Sequence, residues 1–237
     1  MIPCICWTIV RFRPSDVFIG TDGAIYVVDW YDPIIGDRQI KDKTGYGCIY
    51  RITPKNKTLK TPRIDLSTIE GQIEALKNPA INVRNLAFTK LKTEESTALE
   101  PVKKLLDDNN PYIQARAVWL LSNLGSKGIA VVEQLLTHKN PEIRVTAYRA
   151  LKQVMPDIMP YANRLVNDPS LAVRQEVTIC LRDLPLNKTQ QTFINLAKLY
   201  DGKDRWYLEA LGYTIDGKQD IIYPLLKSYM ENASPTK

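Results

Sequence analysis

The sequence predicts a mainly α protein: an α-solenoid of paired helices with a small antiparallel β segment at its N-terminal end. Two observations carry this. First, an Asn-Pro or Asp-Pro step recurs at Asn78-Pro79, Asn110-Pro111, Asn140-Pro141 and Asp168-Pro169, each time ahead of an apolar helical pattern. Asn and Asp cap helix starts by accepting an orphan backbone N–H, and Pro suits the first helical position because it has no N–H to satisfy. Second, five of the eleven glycines fall before residue 60, among short β-branched and aromatic runs. The composition changes near Pro54 to Pro62, so two segments are expected, 1–60 and 61–237.

In the first segment, Val17 to Ile19 and Ala24 to Val28 are apolar runs joined through Thr21-Asp22-Gly23. An Asp-Gly step between such runs signals a hairpin, because Gly tolerates positive φ. After a polar excursion to Gly47, Cys48 to Thr53 alternates as a third strand would. Three strands and one long loop read as a single blade of a β-propeller. A propeller needs at least about four blades, so this segment is at most one of them. Helices 68–92 are expected to cover one face of the sheet through Ile25, Val27 and Ile49.

In the second segment the Pro steps start helices whose inward positions are read as Ile81, Ile113, Ile143 and Leu171, then Val83, Ala115, Val145 and Val173. Further helices are expected at about 68–76, 95–107, 127–138, 157–167 and 188–200, with a last one over Ile221 to Met230. A helical pair every thirty or so residues marks a solenoid, in which each pair buries its apolar face by stacking on the next.

Composition narrows the chemistry. With 44% hydrophobic and 24% charged residues in 237, the chain has a globular composition. The uncharged run Met1 to Val10 is half the length a membrane span needs and lacks the marks of a secretory signal. The net charge of +6 is spread evenly, with +3 in residues 1–60 and +3 in 61–237. No basic half marks a nucleic-acid patch. Cys4, Cys6, Cys48 and Cys180 form no CxxC pair, and His138 is the single histidine. His138 cannot build a His-based metal site or a triad unaided, and a CxxCH haem attachment is excluded.

NPYIQARAVWLLSNLG (110–125) and DPSLAVRQEV (168–177) resemble HEAT-like repeats of the kind found in phycobilisome-lyase-related proteins. RPSDVFIGTDGAIYVVDWYDP (13–33), GCIYRITPKNK (47–57) and DRWYLEALG (204–212) add a second resemblance. Together these segments resemble the end of the propeller, and the HEAT-like region after it, of bacterial membrane-bound dehydrogenases related to quinoprotein glucose and sorbosone dehydrogenases. That resemblance implies an exported, periplasmic or membrane-associated parent holding a quinone and, in many members, a c-type haem. It also implies that this chain is a C-terminal fragment, since most of the propeller and the CxxCH are missing and Cys48 stands where relatives have Arg. No cofactor is expected in the chain itself.

Candidate site residues follow. Asp16, Asp22, Asp29 and Asp32 surround the hairpin, where carboxylates line a cation or sugar pocket or simply satisfy turn and strand-end amides. Asp37 and Asp42, neighboured by Arg38, Lys41 and Lys43, read as a solvated loop. Asp29, Trp30, Asp32, Arg205 and Trp206 are the candidate binding surface, with Tyr207 either beside Trp206 on it or in the core. Arg84, Arg116 and Arg174 each follow a repeat Pro by five residues, Thr146 interrupting the series. Arg144 lies two residues before Thr146. The series either tracks phosphates or forms a structural ladder between repeats, the second being the expected role. His138 is expected in a solvated loop and Cys180 in an apolar face. The expected function is a non-catalytic interaction or scaffold module, with a HEAT-like nucleic-acid-binding or DNA-repair protein as the alternative. The expected partner is a protein or the rest of a propeller, and unpaired sheet edges favour self-association.

Overall fold

The computed structural model describes residues 13–30 and 47–233. By its internal contacts the chain divides into two compact units, 1–101 and 102–237. The boundary expected near residue 60 therefore falls inside the first unit.

In the first unit, β1 (Pro14–Ile19), β2 (Ile25–Asp29) and β3 (Cys48–Ile52) form one antiparallel sheet in that order. The hairpin joining β1 to β2 turns where the Asp-Gly step predicts. Gly23 has φ 82°, which a residue with a Cβ rarely adopts, and the Asp22 carboxylate accepts the Ala24 N–H at 3.0 Å. Across the sheet, Arg51 Nη2 donates to Asp22 at 2.5 Å and Arg51 Nε to the Tyr26 hydroxyl at 3.2 Å, while Phe18 stacks on Tyr26. The Arg51 guanidinium holds the Asp22 carboxyl below the usual carboxylate range. In chain order α1 (Ile69–Lys77) and α2 (Ile81–Thr93) follow, packed on each other, and Asn78 between them donates to the Thr21 carbonyl in the hairpin turn.

The expected burial of Ile25, Val27 and Ile49 together is corrected. Ile49 pairs with Val28, so it lies on the face opposite Val27. Val27 is buried, whereas Ile25 and Ile49 are exposed.

After α3 (Glu95–Lys103) and a 3-10 turn (Lys104–Asp107), the second unit continues through α4 (Pro111–Leu121), α5 (Gly125–Leu135), α6 (Pro141–Val154), α7 (Met159–Leu165), α8 (Leu171–Cys180), α9 (Leu186–Lys198), α10 (Arg205–Thr214) and α11 (Gln219–Ala233). Here α4 packs on α6, α6 on α8 and α8 on α10, while α5, α7 and α9 supply the other helix of each pair. Between the two rows lie Val118, Leu121, Val132, Leu136, Ala147, Leu151, Ala162, Leu165, Val177 and Leu181, all buried. Gly128 allows α5 to close on the end of α4, because a Cβ there would meet the Leu121 carbonyl oxygen at 2.1 Å. The fold is that of HEAT-type helical repeats with a small three-stranded antiparallel sheet at the N-terminal end, as the sequence predicts. No helix among the described residues is long and apolar enough to cross a membrane.

The repeats obey a stricter rule than the Pro steps suggest. In α2, α4, α6 and α8 the residue two positions before the N-cap receives the cap's N–H on its side chain. These four acceptors are Asn78, Asp108, His138 and Asp168. The fourth residue of each helix then reaches back to the carbonyl of that same residue: Arg84 to Asn78, Gln114 to Asp108, Arg144 to His138 and Arg174 to Asp168. Both series advance by thirty residues at every step. Pro precedes the N-cap in α2 and α8 but begins the helix in α4 and α6, which is why spacing counted from Pro wavers. The same offset corrects the inward positions. The third helical residue faces the core, as Val83, Ile143 and Val173 do, whereas Ile81 is the first residue of its helix and is exposed.

Candidate protein-docking groove

The residues of the Arg series occupy two different positions. Arg84 and Arg174 are fourth in their helices and donate to carbonyls of their own leading turn, at Asn78 and Pro79 and at Asp168 and Pro169. Arg116 is sixth in α4, and Gln114 holds the equivalent place there. Among these leading-turn arginines, the one shown bonding a neighbouring repeat is Arg144, which lies outside the series counted from Pro. Its Nη2 and Nε donate to the two carboxylate oxygens of Asp168 at 2.7 and 2.8 Å, with side chains 10% and 6% exposed. A planar fork on a carboxylate is the geometry that best offsets the cost of burying both charges.

The candidate surface residues likewise separate. Asp29 is buried: its carboxylate accepts the Arg13 N–H at 2.7 Å and the Tyr50 hydroxyl at 3.5 Å, which serves the strand end. Bonding to Cys48, burial and the Asp29 charge push the Tyr50 hydroxyl up to about 12. Trp30 is exposed next to it, and Asp32 lies outside the described residues, as do Asp37 and Asp42. Arg205 and Trp206 belong to the second unit. Tyr207 faces the core, its hydroxyl donating to the Leu196 carbonyl at 2.8 Å, with burial pushing that hydroxyl up. Cys180 is buried and its thiol is pushed up by burial, as suits a small hydrophobe. His138, expected in a solvated loop, is half-buried and works as a cap acceptor.

Trp206 forms part of a groove of about 290 Å³ between α8 and α10, lined by Gln175, Ile179, Trp206, Glu209, Ala210 and Tyr213. Asp204 caps α10 by accepting the Tyr207 N–H at 2.7 Å, and this fixes the phase of the helix. Tyr207, Ala210, Leu211 and Thr214 then point inward. Trp206, Glu209 and Tyr213, at spacings of three and four, share the outer side. Trp206 is 73% exposed, Tyr213 49% and Ile179, across the groove on α8, 40%. The Arg182 guanidinium lies 3.9 Å from the Tyr213 ring centre and pairs with Asp216 at 3.3 Å. Gln175 Nε2 donates to Asp204 Oδ1 at 3.3 Å and closes the lower end. Sequence reading missed Ile179, Glu209 and Tyr213; the available signal was their helical phase relative to the Asp204 cap.

Chemically, the groove offers apolar and aromatic contact with a single carboxylate. Among the described residues no group of three His, Cys, Asp or Glu side chains is placed to hold a metal ion.

The fold is thus of the HEAT-repeat class, and among the described residues it carries an aromatic groove between α8 and α10. Comparison with protein families finds HEAT repeats over residues 99–157. Among solved structures, the complex of CpcE and CpcF of phycocyanin lyase from Nostoc sp. PCC7120 matches at 18% identity over 68% of this chain and 67% of that chain, with a TM-score of 0.32. Comparison with curated proteins finds no match.

Proposed function

We propose that the chain is a protein-interaction module that docks its partner on the α8–α10 groove. The observation that carries this reading is the exposure of Ile179, Trp206 and Tyr213 along one groove. A large aromatic side chain held out of the core at this spacing is the kind of anchor around which hot spots form. Against nucleic-acid binding, Arg144 has Nε, Nη1 and Nη2 all engaged on carbonyls and on Asp168, and Arg84 and Arg174 each turn Nη1 back onto carbonyls of their own leading turn. Phosphate binding requires those donors to be available.

The finer reading rests on resemblance alone. In it the module is the C-terminal part of a quinoprotein-like sugar dehydrogenase, in which the quinone and haem belong to the parent and this chain catalyses nothing. The purified chain then shows no haem absorbance and no dye-linked oxidation of glucose or sorbosone with added quinone. Turnover above a denatured control overturns the non-catalytic reading.

The docking reading is tested with a photo-crosslinking residue at Ile179, and at Lys188 on α9 as control, in the cell that makes the protein. A protein adduct at 179 that is absent at 188 and lost in Trp206→Ala supports it. Equal labelling at both positions overturns it.

A further inference from the structure

The docking reading says that a protein binds the α8–α10 groove; resting on it, we propose that the bound segment is an extended, proline-containing stretch carrying one basic side chain. Trp206 and Tyr213 stand seven residues apart on one side of α10. At about 1.5 Å per residue that is a rise of about 10 Å. A polyproline II segment, with three residues per turn and about 3.1 Å per residue, repeats every 9 Å or so. Two successive proline faces of such a segment therefore match the two aromatic anchors.

The polar chemistry agrees. Neither the Trp206 indole N–H nor the Tyr213 hydroxyl makes a hydrogen bond among the described residues, so both can donate to a bound backbone. Proline has carbonyls to offer and no N–H, so a proline-rich segment suits a surface rich in donors. Ile179 and Ala210 between the anchors give an apolar floor for a pyrrolidine ring. Glu209 sits midway, and its one pairing, with Arg205 Nε at 3.4 Å, is solvent-exposed on both sides. It is therefore open to exchange for a basic side chain of the partner, and this charge complementarity fixes the direction of the segment. Arg182 holds the Tyr213 ring before binding, which limits the ordering cost.

The test uses the full chain and three fluorescein-labelled decapeptides: one with PxxP and a flanking Arg, the same peptide with Ala for both prolines, and the same peptide with Gln for the Arg. The first is expected to bind, with affinity falling at least about tenfold for the Ala peptide and for Trp206→Ala. In Glu209→Gln the Arg and Gln peptides are expected to bind equally. Tyr213→Phe, which removes only a donor, is expected to weaken binding severalfold without changing the circular dichroism. Equal binding of the Ala peptide, no binding of any peptide, or indifference to Trp206→Ala overturns the proposal. If the crosslink at Ile179 persists when the peptides fail, the docking reading stands and only the nature of the segment is wrong.

Discussion

Arg144 and Asp168 form a buried, two-pronged ion pair that ties α6 to the leading turn of α8. Asp168 does three jobs at once. Its carboxylate pairs with Arg144 and accepts the Ser170 N–H at 2.8 Å, while its carbonyl accepts from Arg174. Removing one partner of such a pair strands a buried charge. Asp168→Ala is therefore expected to cost about 3–5 kcal/mol. Urea unfolding followed by circular dichroism measures this, and a loss under about 1 kcal/mol refutes the assignment.

The thirty-residue register predicts how a second such pair is built. Gln114 and His138 hold the places that Arg144 and Asp168 hold one repeat later, and α4 packs on α6 as α6 packs on α8. Gln114→Arg alone places a guanidinium that meets only carbonyls of the leading turn, as Arg84 and Arg174 do, and is expected to change stability by less than about 1 kcal/mol. His138→Asp alone puts a carboxylate acceptor at the start of α6 and is expected to be neutral or to stabilise by about 0.5–1 kcal/mol. Together they complete the fork, so the double-mutant cycle is expected to show favourable coupling of about 1–3 kcal/mol. Additive effects mean that the two repeats do not share this geometry.

This register also shows what the sequence made legible and what it hid. Helices, hairpin and strand order could be read because each depends on local signals: the Asn-Pro and Asp-Pro starts, the Asp22-Gly23 turn, and the alternation in Cys48 to Thr53. The ladder could not be read from Pro, since Pro fits both before the N-cap and at the first helical position without changing the helix's own hydrogen bonds. The side chains two residues before each cap hold the true period, and they are chemically unlike: Asn78, Asp108, His138 and Asp168. The groove was half legible for a related reason. Trp206 and Tyr207 are adjacent in sequence, yet a helix turns them about 100° apart, one to solvent and one to the core. Only the phase set by Asp204 decides which is which.

Two glycines in helices are expected to respond oppositely to Ala. Gly128→Ala drives a Cβ to 2.1 Å from the Leu121 carbonyl oxygen, where backbone must move, so a loss of about 1–3 kcal/mol is expected. At Gly212, exposed on α10, a Cβ meets nothing within 4 Å. There Ala raises helix propensity and is expected to stabilise by up to about 1 kcal/mol. Thermal melting of both variants checks the packing of α5 on α4 and the exposure of the outer side of α10 in one comparison.

The hairpin supplies a pH prediction. Asp22 is held below the ordinary carboxylate range, first by its bond to Arg51 and then by the Ala24 N–H. A carboxyl whose folded value is lowered favours the folded form above its unfolded value, near about 3.9, and that contribution is lost as pH falls through the lower folded value. Protection of the Ala24 amide is therefore expected to be flat from neutral pH to about 4 and to fall below it. Asp22→Asn removes the carboxylate charge that faces Arg51 and is expected to abolish the acid step while lowering protection at pH 7. An acid step of the same size in Asp22→Asn would mean that another group controls the turn.

The sheet provides the last prediction. In register, Ile19, Ile25 and Ile52 form one row and Val17, Val27 and Tyr50 the next, on the same face. Of these, Val17, Ile19, Ile25 and Ile52 are exposed, and β1 is exposed along its whole length. An apolar face beside an exposed outer strand favours pairing with another strand, and small sheets are marginal in water on their own. Concentration-dependent self-association through this sheet is therefore expected in sedimentation velocity. Val17→Lys, which places a charge on both the apolar face and the outer strand, is expected to reduce it without altering the helical circular dichroism. Helix α6 is packed on both α4 and α8, whereas β1 is exposed, so amide exchange is expected to be faster in β1 than in α6 at every concentration. A monomer at all concentrations, with β1 as well protected as α6, would show that the sheet is self-sufficient and that its apolar face has no role in association.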